Sequence, residues 1–218
     1  MIVVVFDIDG TLTPITSSWA YVHRILNTWI RGRKYMELFF NGFISYDEWI
    51  VLDLSLWKGV PYYIFTKILY TIPWRSGIEE LKKVIEQHSD VFFLAISGGF
   101  DILGLRAVKE LGFNDYIGVS VEIDSNARIT GFAKDYVDFN GKGIALREYL
   151  ERKNLKPRYI ISVGDSANDI ELFKYSDISI AFCPKKDLEN YSSIVIKSCN
   201  IRLLAQVLNH LLHKLKRI

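Results

Sequence analysis

Residues 2–11 read I-V-V-V-F-D-I-D-G-T. The run 2–8 is apolar and β-branched up to Phe6, with no polar alternation, which suits a strand covered on both faces, as in a parallel sheet. The strand runs out through Asp7-Ile8-Asp9-Gly10-Thr11. Side chains two apart share one face of a strand, so Asp7 and Asp9 can reach one site as the chain leaves it. Gly10 permits a close turn there. In open α/β sheets, ligands bind beyond the carboxyl ends of the strands.

Working outward, similar apolar runs recur at 91–96, 159–163, 178–182 and 194–196. Helical patterns at 77–88, 101–111, 142–153 and 169–175 lie between them. Strand and helix in alternation predict an α/β fold, a Rossmann-like parallel sheet with right-handed crossovers. Residues 117–123 and 128–133 flank Asp124-Ser125-Asn126-Ala127 and predict a β-hairpin. A last helix, about 200–216, sets Ile201, Leu204, Leu208, Leu211 and Leu215 on one stripe.

Residues 15–74 break this rhythm and read as helices alone. Ser17 or Ser18 can cap a helix to about Ile30, stopped at Gly32. Ser45-Tyr46-Asp47-Glu48 has the form of a capping box, and Pro61 suits the first turn of a third helix. This block holds 15 of the chain's 30 aromatic residues and all five tryptophans. It is therefore expected to be a separate helical cap inserted into a core made of 1–14 and 75–218. Its aromatics fill a small core, or line a substrate pocket or an oligomer contact.

Composition excludes several classes. The 218 residues are 50% hydrophobic and 24% charged, which is globular rather than disordered. No apolar run is long enough for a transmembrane helix. A formal charge of +2 is too mild to argue for nucleic acid. No basic leader opens the chain, and Cys183 and Cys199 cannot build a disulfide framework; a reducing cytoplasm is the simplest expected location.

Three further patches fall at strand or helix ends. Ser97-Gly98-Gly99 follows the second apolar run and can offer a hydroxyl and uncovered backbone N–H groups. Lys142 sits between Gly141 and Gly143 at a helix start. Gly164-Asp165-Ser166-Ala167-Asn168-Asp169 brings two more acids to the same rim. Each is an ordinary turn or a solvated lysine when taken alone. Together they place four carboxylates at one edge of the sheet, where two charges ~4 Å apart cost about 4 kcal/mol at an effective dielectric near 20. A cation or protons must compensate them. All-oxygen ligands without a His or Cys cluster point to Mg²⁺, and Mg²⁺ beside a lysine and a Ser-Gly-Gly cradle makes a phosphate site.

In this order the four patches resemble the haloacid dehalogenase superfamily over nearly the whole chain, and most closely its phosphoserine phosphatase group. The resemblance implies a Mg²⁺-dependent phosphatase working through an aspartyl phosphate. It implies Asp7 as nucleophile and metal ligand, and Asp9 as general acid and then base, with its carbonyl on the metal. Ser97 and the Gly98 N–H would hold phosphoryl oxygens, Lys142 would neutralise them, and Asp165 would ligate the metal. Asp169 would support the metal or orient Lys142. Phosphate or substrate contacts are expected at Gly10, Thr11, Gly98, Gly99 and Asn168, and in the cap at Thr16 and Val51.

Those last two mark a departure. The group's substrate-binding glutamate falls by spacing on Thr16, and its cap arginine on Val51, so both charges are missing. Losing a bidentate arginine changes the chemistry. The expected substrate is a small phosphomonoester other than phosphoserine, less polar or larger, and the expected protein is a monomer or homodimer with no membrane or nucleic-acid partner. Arg24, Arg31, Arg33 and Arg75 remain as replacements from another direction. A phosphoserine phosphatase with a rearranged pocket, a phosphotransferase, and a receiver-like phospho-aspartate module stay as alternatives.

Overall fold

The computed structural model describes residues 1–139, 141–185 and 187–217. Strand β1 (Ile2–Phe6) is buried along its whole length. Its alternate residues enter two separate cores: Ile2, Val4 and Phe6 enter one, Val3 and Val5 the other. That two-sided burial is the physical reason for its unbroken apolar run. β1 pairs in parallel with β2 (Val91–Phe100) on one side and β5 (Tyr159–Gly164) on the other. Outside β2 lies β3 (Asp115–Ile123), with β4 (Ile129–Asp135) antiparallel to it; outside β5 lie β6 (Ile178–Phe182) and β7 (Ile194–Ile196). The expected hairpin is β3–β4, turned by Ala127 at φ 54°.

One core is closed by α5 (Ile78–Gln87) and α9 (Ile201–Lys216), through Leu81, Val84, Leu204 and Leu208. The other is closed by α7 (Lys142–Arg152), through Leu146, Tyr149 and Leu150. Helix α6 (Asp101–Arg106) leads into a π-helical turn, and α8 (Ile170–Lys174) follows a short 3₁₀ turn.

Between β1 and α5 run α1 (Ser18–Ile25), α2 (Trp29–Phe40), α3 (Tyr46–Ser55) and α4 (Tyr62–Tyr70). Here the structure differs from the expectation of one helix running to Gly32. The chain breaks earlier, at Asn27 with φ 56°, and Gly32 lies inside α2. A Cβ there would stand 2.6 Å from the His23 ring, so this glycine marks close helix packing rather than a helix stop. The capping box at Ser45 and Glu48 forms as expected, with both reciprocal hydrogen bonds.

The cysteines depart from the reading of a reduced pair. Cys183 follows β6 and Cys199 precedes α9, and the two form a disulfide with a Cα separation of 4.7 Å. The pairing of β6 with β7 brings them together, since the Cys183 N–H donates to Ile196 O. Among the described residues no helix is long and apolar enough to cross a membrane.

Candidate active site

The adjacent parallel strands β2, β1, β5 and β6 deliver their carboxyl ends to one rim. Asp7 leaves β1 there, its N–H donating to Val163 O of β5. Asp165 leaves β5, and Lys142 enters from the start of α7. The three carboxylates of Asp7, Asp165 and Asp169 each offer an oxygen within 4.8 Å of the others. Residues from the two ends of the chain thus converge as the motifs require.

Lys142 organises this cluster. Its ammonium, 1% exposed, donates to Asp7 Oδ1 and to Asp169 Oδ1 at 2.6 Å each. Burial works against the charged amine, but Asp169 and Asp7 raise its pKa above the ordinary lysine value. Burial pushes the Asp7 carboxyl well up, and Lys142 pulls it back. Thr11 Oγ1 donates to Asp7 Oδ2 at 3.2 Å. The second Asp169 oxygen accepts the backbone N–H groups of Asp165 and Ser166 at 3.0 and 3.1 Å. Gly164 makes room for this, since a Cβ there would lie 2.3 Å from Asp169 Cγ.

Asp9 is held differently. Its Oδ2 accepts both the N–H and the hydroxyl of Ser18 at 2.7 Å. Burial raises its pKa, with the Ser18 bonds partly opposing. Its Oδ1 is buried and meets no donor among the described residues. Asp165 Oδ1 is in the same state, while its Oδ2 pairs with Lys185 Nζ at 3.1 Å. Unpaired carboxylate oxygens next to further acids are what a hard divalent cation takes up. The donor set therefore fits Mg²⁺.

Ser97, Gly98 and Gly99 lie within the extended β2 rather than in a turn after it, where the β2–β3 register shifts between Ile96 and Phe100. Ser97 Oγ accepts the Gly99 N–H at 3.0 Å, which leaves its own proton to give. Trp19 Nε1 donates to Gly98 O at 3.0 Å and ties α1 to this cradle.

A chamber of about 520 Å³ opens above these groups. Asp7, Asp9, Ser97, Gly98, Gly99, Asn168 and Thr16 all line it. Gly10 and Thr11 do not. Gly10, at φ +88°, backs onto the Asp165 carboxylate, and Thr11 is fully buried and donates to Asp7. Val51 is 40% exposed and does not line the chamber; Ile50 and Asp53 of α3 line it. The inward stripe of α3 runs through Ile50, Asp53 and Leu54 and passes Val51 by.

None of the four candidate arginines lines the chamber, and Arg31 is exposed. Arg75 donates to Gly10 O and Thr11 O, clamping the loop after β1. Arg24 stacks on Trp29, 4.8 Å from its centroid, and Arg33 pairs with Glu37. Ser18, Lys185 and the buried pair His23–Asp53 escaped the sequence reading as site residues. Ser18 carried one signal, as a helix-cap candidate, but nothing local linked it to Asp9.

The haloacid dehalogenase-like hydrolase family model matches residues 4–174. The chain belongs to that family. This haloacid dehalogenase-like hydrolase is 35% identical over 161 residues to the phosphoserine phosphatase of Streptococcus thermophilus, covering 71% of this chain and 73% of that one. It is 28% identical over 208 residues to the phosphoserine phosphatase of Archaeoglobus fulgidus, covering 94% of this chain but spanning only 59% of the relative's length. A solved phosphoserine phosphatase, a phospho-aspartyl intermediate analogue, superposes with a TM-score of 0.78 at 25% identity, over 94% of this chain and 97% of that one. The hydrolase is thus phosphoserine phosphatase-like, of the phosphoric monoester hydrolase class.

Proposed function

We propose that this chain is a Mg²⁺-dependent phosphatase that moves the phosphoryl group of a small phosphomonoester to Asp7 and then to water. The observation that carries the reading is the Lys142 bridge from Asp7 to Asp169, set beside the unpaired Asp165 Oδ1, with Asp7 and the Ser97-Gly98-Gly99 cradle lining one chamber. Residues 15–74 act as the cap on a core of 1–14 and 75–218; Trp19, Trp49 and Asp53 of that segment help to roof the chamber.

Asp7, Asp165 and the Asp9 carbonyl would hold the Mg²⁺, which supplies charge neutralisation at the phosphoryl oxygens. Both Asp169 oxygens are engaged, so its part is to orient Lys142. The Ser97 hydroxyl and the Gly98 N–H hold the phosphoryl group in line. An Asp7 carboxylate oxygen forms a bond to phosphorus as the ester P–O bond breaks, and protonated Asp9 gives its proton to the leaving oxygen. Water then attacks phosphorus, Asp9 takes the proton back, and phosphate leaves Asp7 as a free carboxylate. The raised pKa of Asp9 suits the acid role.

The test is steady-state hydrolysis of p-nitrophenyl phosphate. Turnover with Mg²⁺ that is lost on chelation and in Asp7→Asn supports the reading; a fully folded wild-type protein inert to every aryl and alkyl phosphate with Mg²⁺ ends it. Selectivity for phosphoserine is disfavoured, because the cap contributes no arginine or lysine to the chamber wall.

A further inference from the structure

The chamber contains a polar pair that this chemistry does not use. His23 and Asp53 are 2% and 3% exposed, with Nε2 and Oδ1 3.2 Å apart. Neither atom makes a well-formed hydrogen bond among the described residues, nor does Trp49 Nε1, and all three residues line the chamber.

The neighbours decide where the imidazole proton sits. Thr28 Oγ1 accepts the Trp57 indole N–H at 3.1 Å and lies 2.8 Å from His23 Nδ1. Its own proton is best given to Nδ1, the backbone alternative at His23 O being 3.5 Å away. Nδ1 then serves as the acceptor, and the proton on Nε2 faces Asp53 Oδ1. Asp53 is the one acidic side chain that residues 15–74 present to the chamber, and they present no lysine or arginine to it.

Around it the wall is aromatic. Phe40, Tyr46, Trp49 and Phe139 line the chamber and form a closed circuit of ring contacts, at 5.9, 5.9, 6.1 and 5.7 Å between centroids. Aromatic faces and a desolvated carboxylate both attract a cation and both disfavour an anion. A substrate carboxylate entering here would meet no cationic partner from the cap and would lose its hydration uncompensated.

We propose that Asp53 and this aromatic wall form a subsite for an ammonium group on the leaving alcohol, so that the preferred substrate is the phosphomonoester of an amino alcohol lacking a carboxylate. The proposal rests on the phosphatase reading above. It makes Asp53 a specificity determinant, where a purely structural His23–Asp53 pair would only fasten α1 to α3.

The experiment compares choline phosphate and ethanolamine phosphate with the uncharged isostere 3,3-dimethylbutyl phosphate, with phosphoserine, and with p-nitrophenyl phosphate. The ammonium esters are expected to exceed the isostere in kcat/KM by about tenfold, and phosphoserine to fall below both. The two ammonium arms separate a methylated from an unmethylated head group. In Asp53→Asn the ratio of charged ester to isostere collapses towards one, whatever happens to the absolute rates. A wild-type ratio near one overturns the subsite, as does a ratio that survives Asp53→Asn; the wild-type ratio decides alone where that variant does not fold. A protein inert to p-nitrophenyl phosphate overturns the phosphatase reading instead. Titration of tryptophan fluorescence with choline phosphate against its isostere then still decides the subsite: tighter binding of the charged ester supports it, and equal binding sinks it.

Discussion

Ser18 holds Asp9 through two hydrogen bonds to the same oxygen, one from its backbone N–H and one from its hydroxyl, both 2.7 Å long. The grip leaves Asp9 Oδ1 as the oxygen free to exchange a proton. Ser18 opens α1, and Asp9 follows β1, so the contact couples the helical segment to the carboxyl that the proposed mechanism uses as its acid. Removing the hydroxyl in Ser18→Ala keeps the backbone bond but loses a charge-assisted one, worth about 1.5–3 kcal/mol. The expected outcome is a fall in kcat of about tenfold or more for an alkyl phosphate, whose leaving oxygen needs the proton. The fall is smaller for p-nitrophenyl phosphate. Equal losses on both substrates would contradict this role.

Lys142 is a buried ammonium between two buried carboxylates. Lys142→Met removes the cation and leaves the acids facing each other, which costs about 3–5 kcal/mol. Urea unfolding in the absence of divalent metal checks this. Adding Asp7→Asn to the same protein removes one of the stranded charges and is expected to restore part of the loss.

Gly98 and Gly99 are adjacent in β2 yet tolerate change differently. A Cβ at Gly99 would meet Ser18 Oγ at 2.5 Å and Asp9 Oδ2 at 2.6 Å, whereas one at Gly98 meets nothing nearer than the Tyr46 hydroxyl at 3.8 Å. Gly99→Ala is therefore expected to lower the melting temperature and displace the Asp9–Ser18 contact. Gly98→Ala leaves the melting temperature where it is. Parallel thermal melts decide between equal and unequal effects.

Arg106 fastens the helical segment to the core. Its buried guanidinium donates to Leu69 O and Ile72 O and pairs with Glu110, which also accepts from Trp74. The Arg106 hydrogen bond chiefly holds the Glu110 pKa below its ordinary value. An acid depressed in the folded state binds fewer protons than in the unfolded chain, so its contribution is complete above the unfolded pKa of about 4.3. It is lost as pH falls through the lower folded value. Glu110→Gln is expected to flatten the acid limb of stability below about pH 4.5. Melting curves from pH 7 down to pH 3.5 that run parallel for the two proteins would count against it.

The contrast between Asp7 and Val51 shows how far local pattern reaches. Asp7, Asp9, Lys142 and Asp165 are brought together because each leaves the end of a strand or enters at the start of a helix, and parallel topology sends such ends to one rim. Val51 was placed by counting along the chain. Its direction depends on the rotation of α3 against its neighbours, and that is set by Ile50, Asp53 and Leu54 turning inward. The early break between α1 and α2 was hidden for a similar reason: Gly32 looks like a helix stop until the His23 ring is seen against it.

From its order of residues alone, this chain determined its sheet, its core helices and the four motif patches, because burial on both faces of a strand and turns at its end are properties of neighbours in sequence. The packing of the folded molecule decided the rest. Ser18 on Asp9, Asp53 beside His23, the engagement of both Asp169 oxygens and the pairing of Cys183 with Cys199 join residues whose meeting depends on how helices dock and loops close. The proposed selectivity of the chamber belongs to that second kind, since how strongly a carboxylate attracts a cation depends on how much water and opposing charge the fold leaves around it.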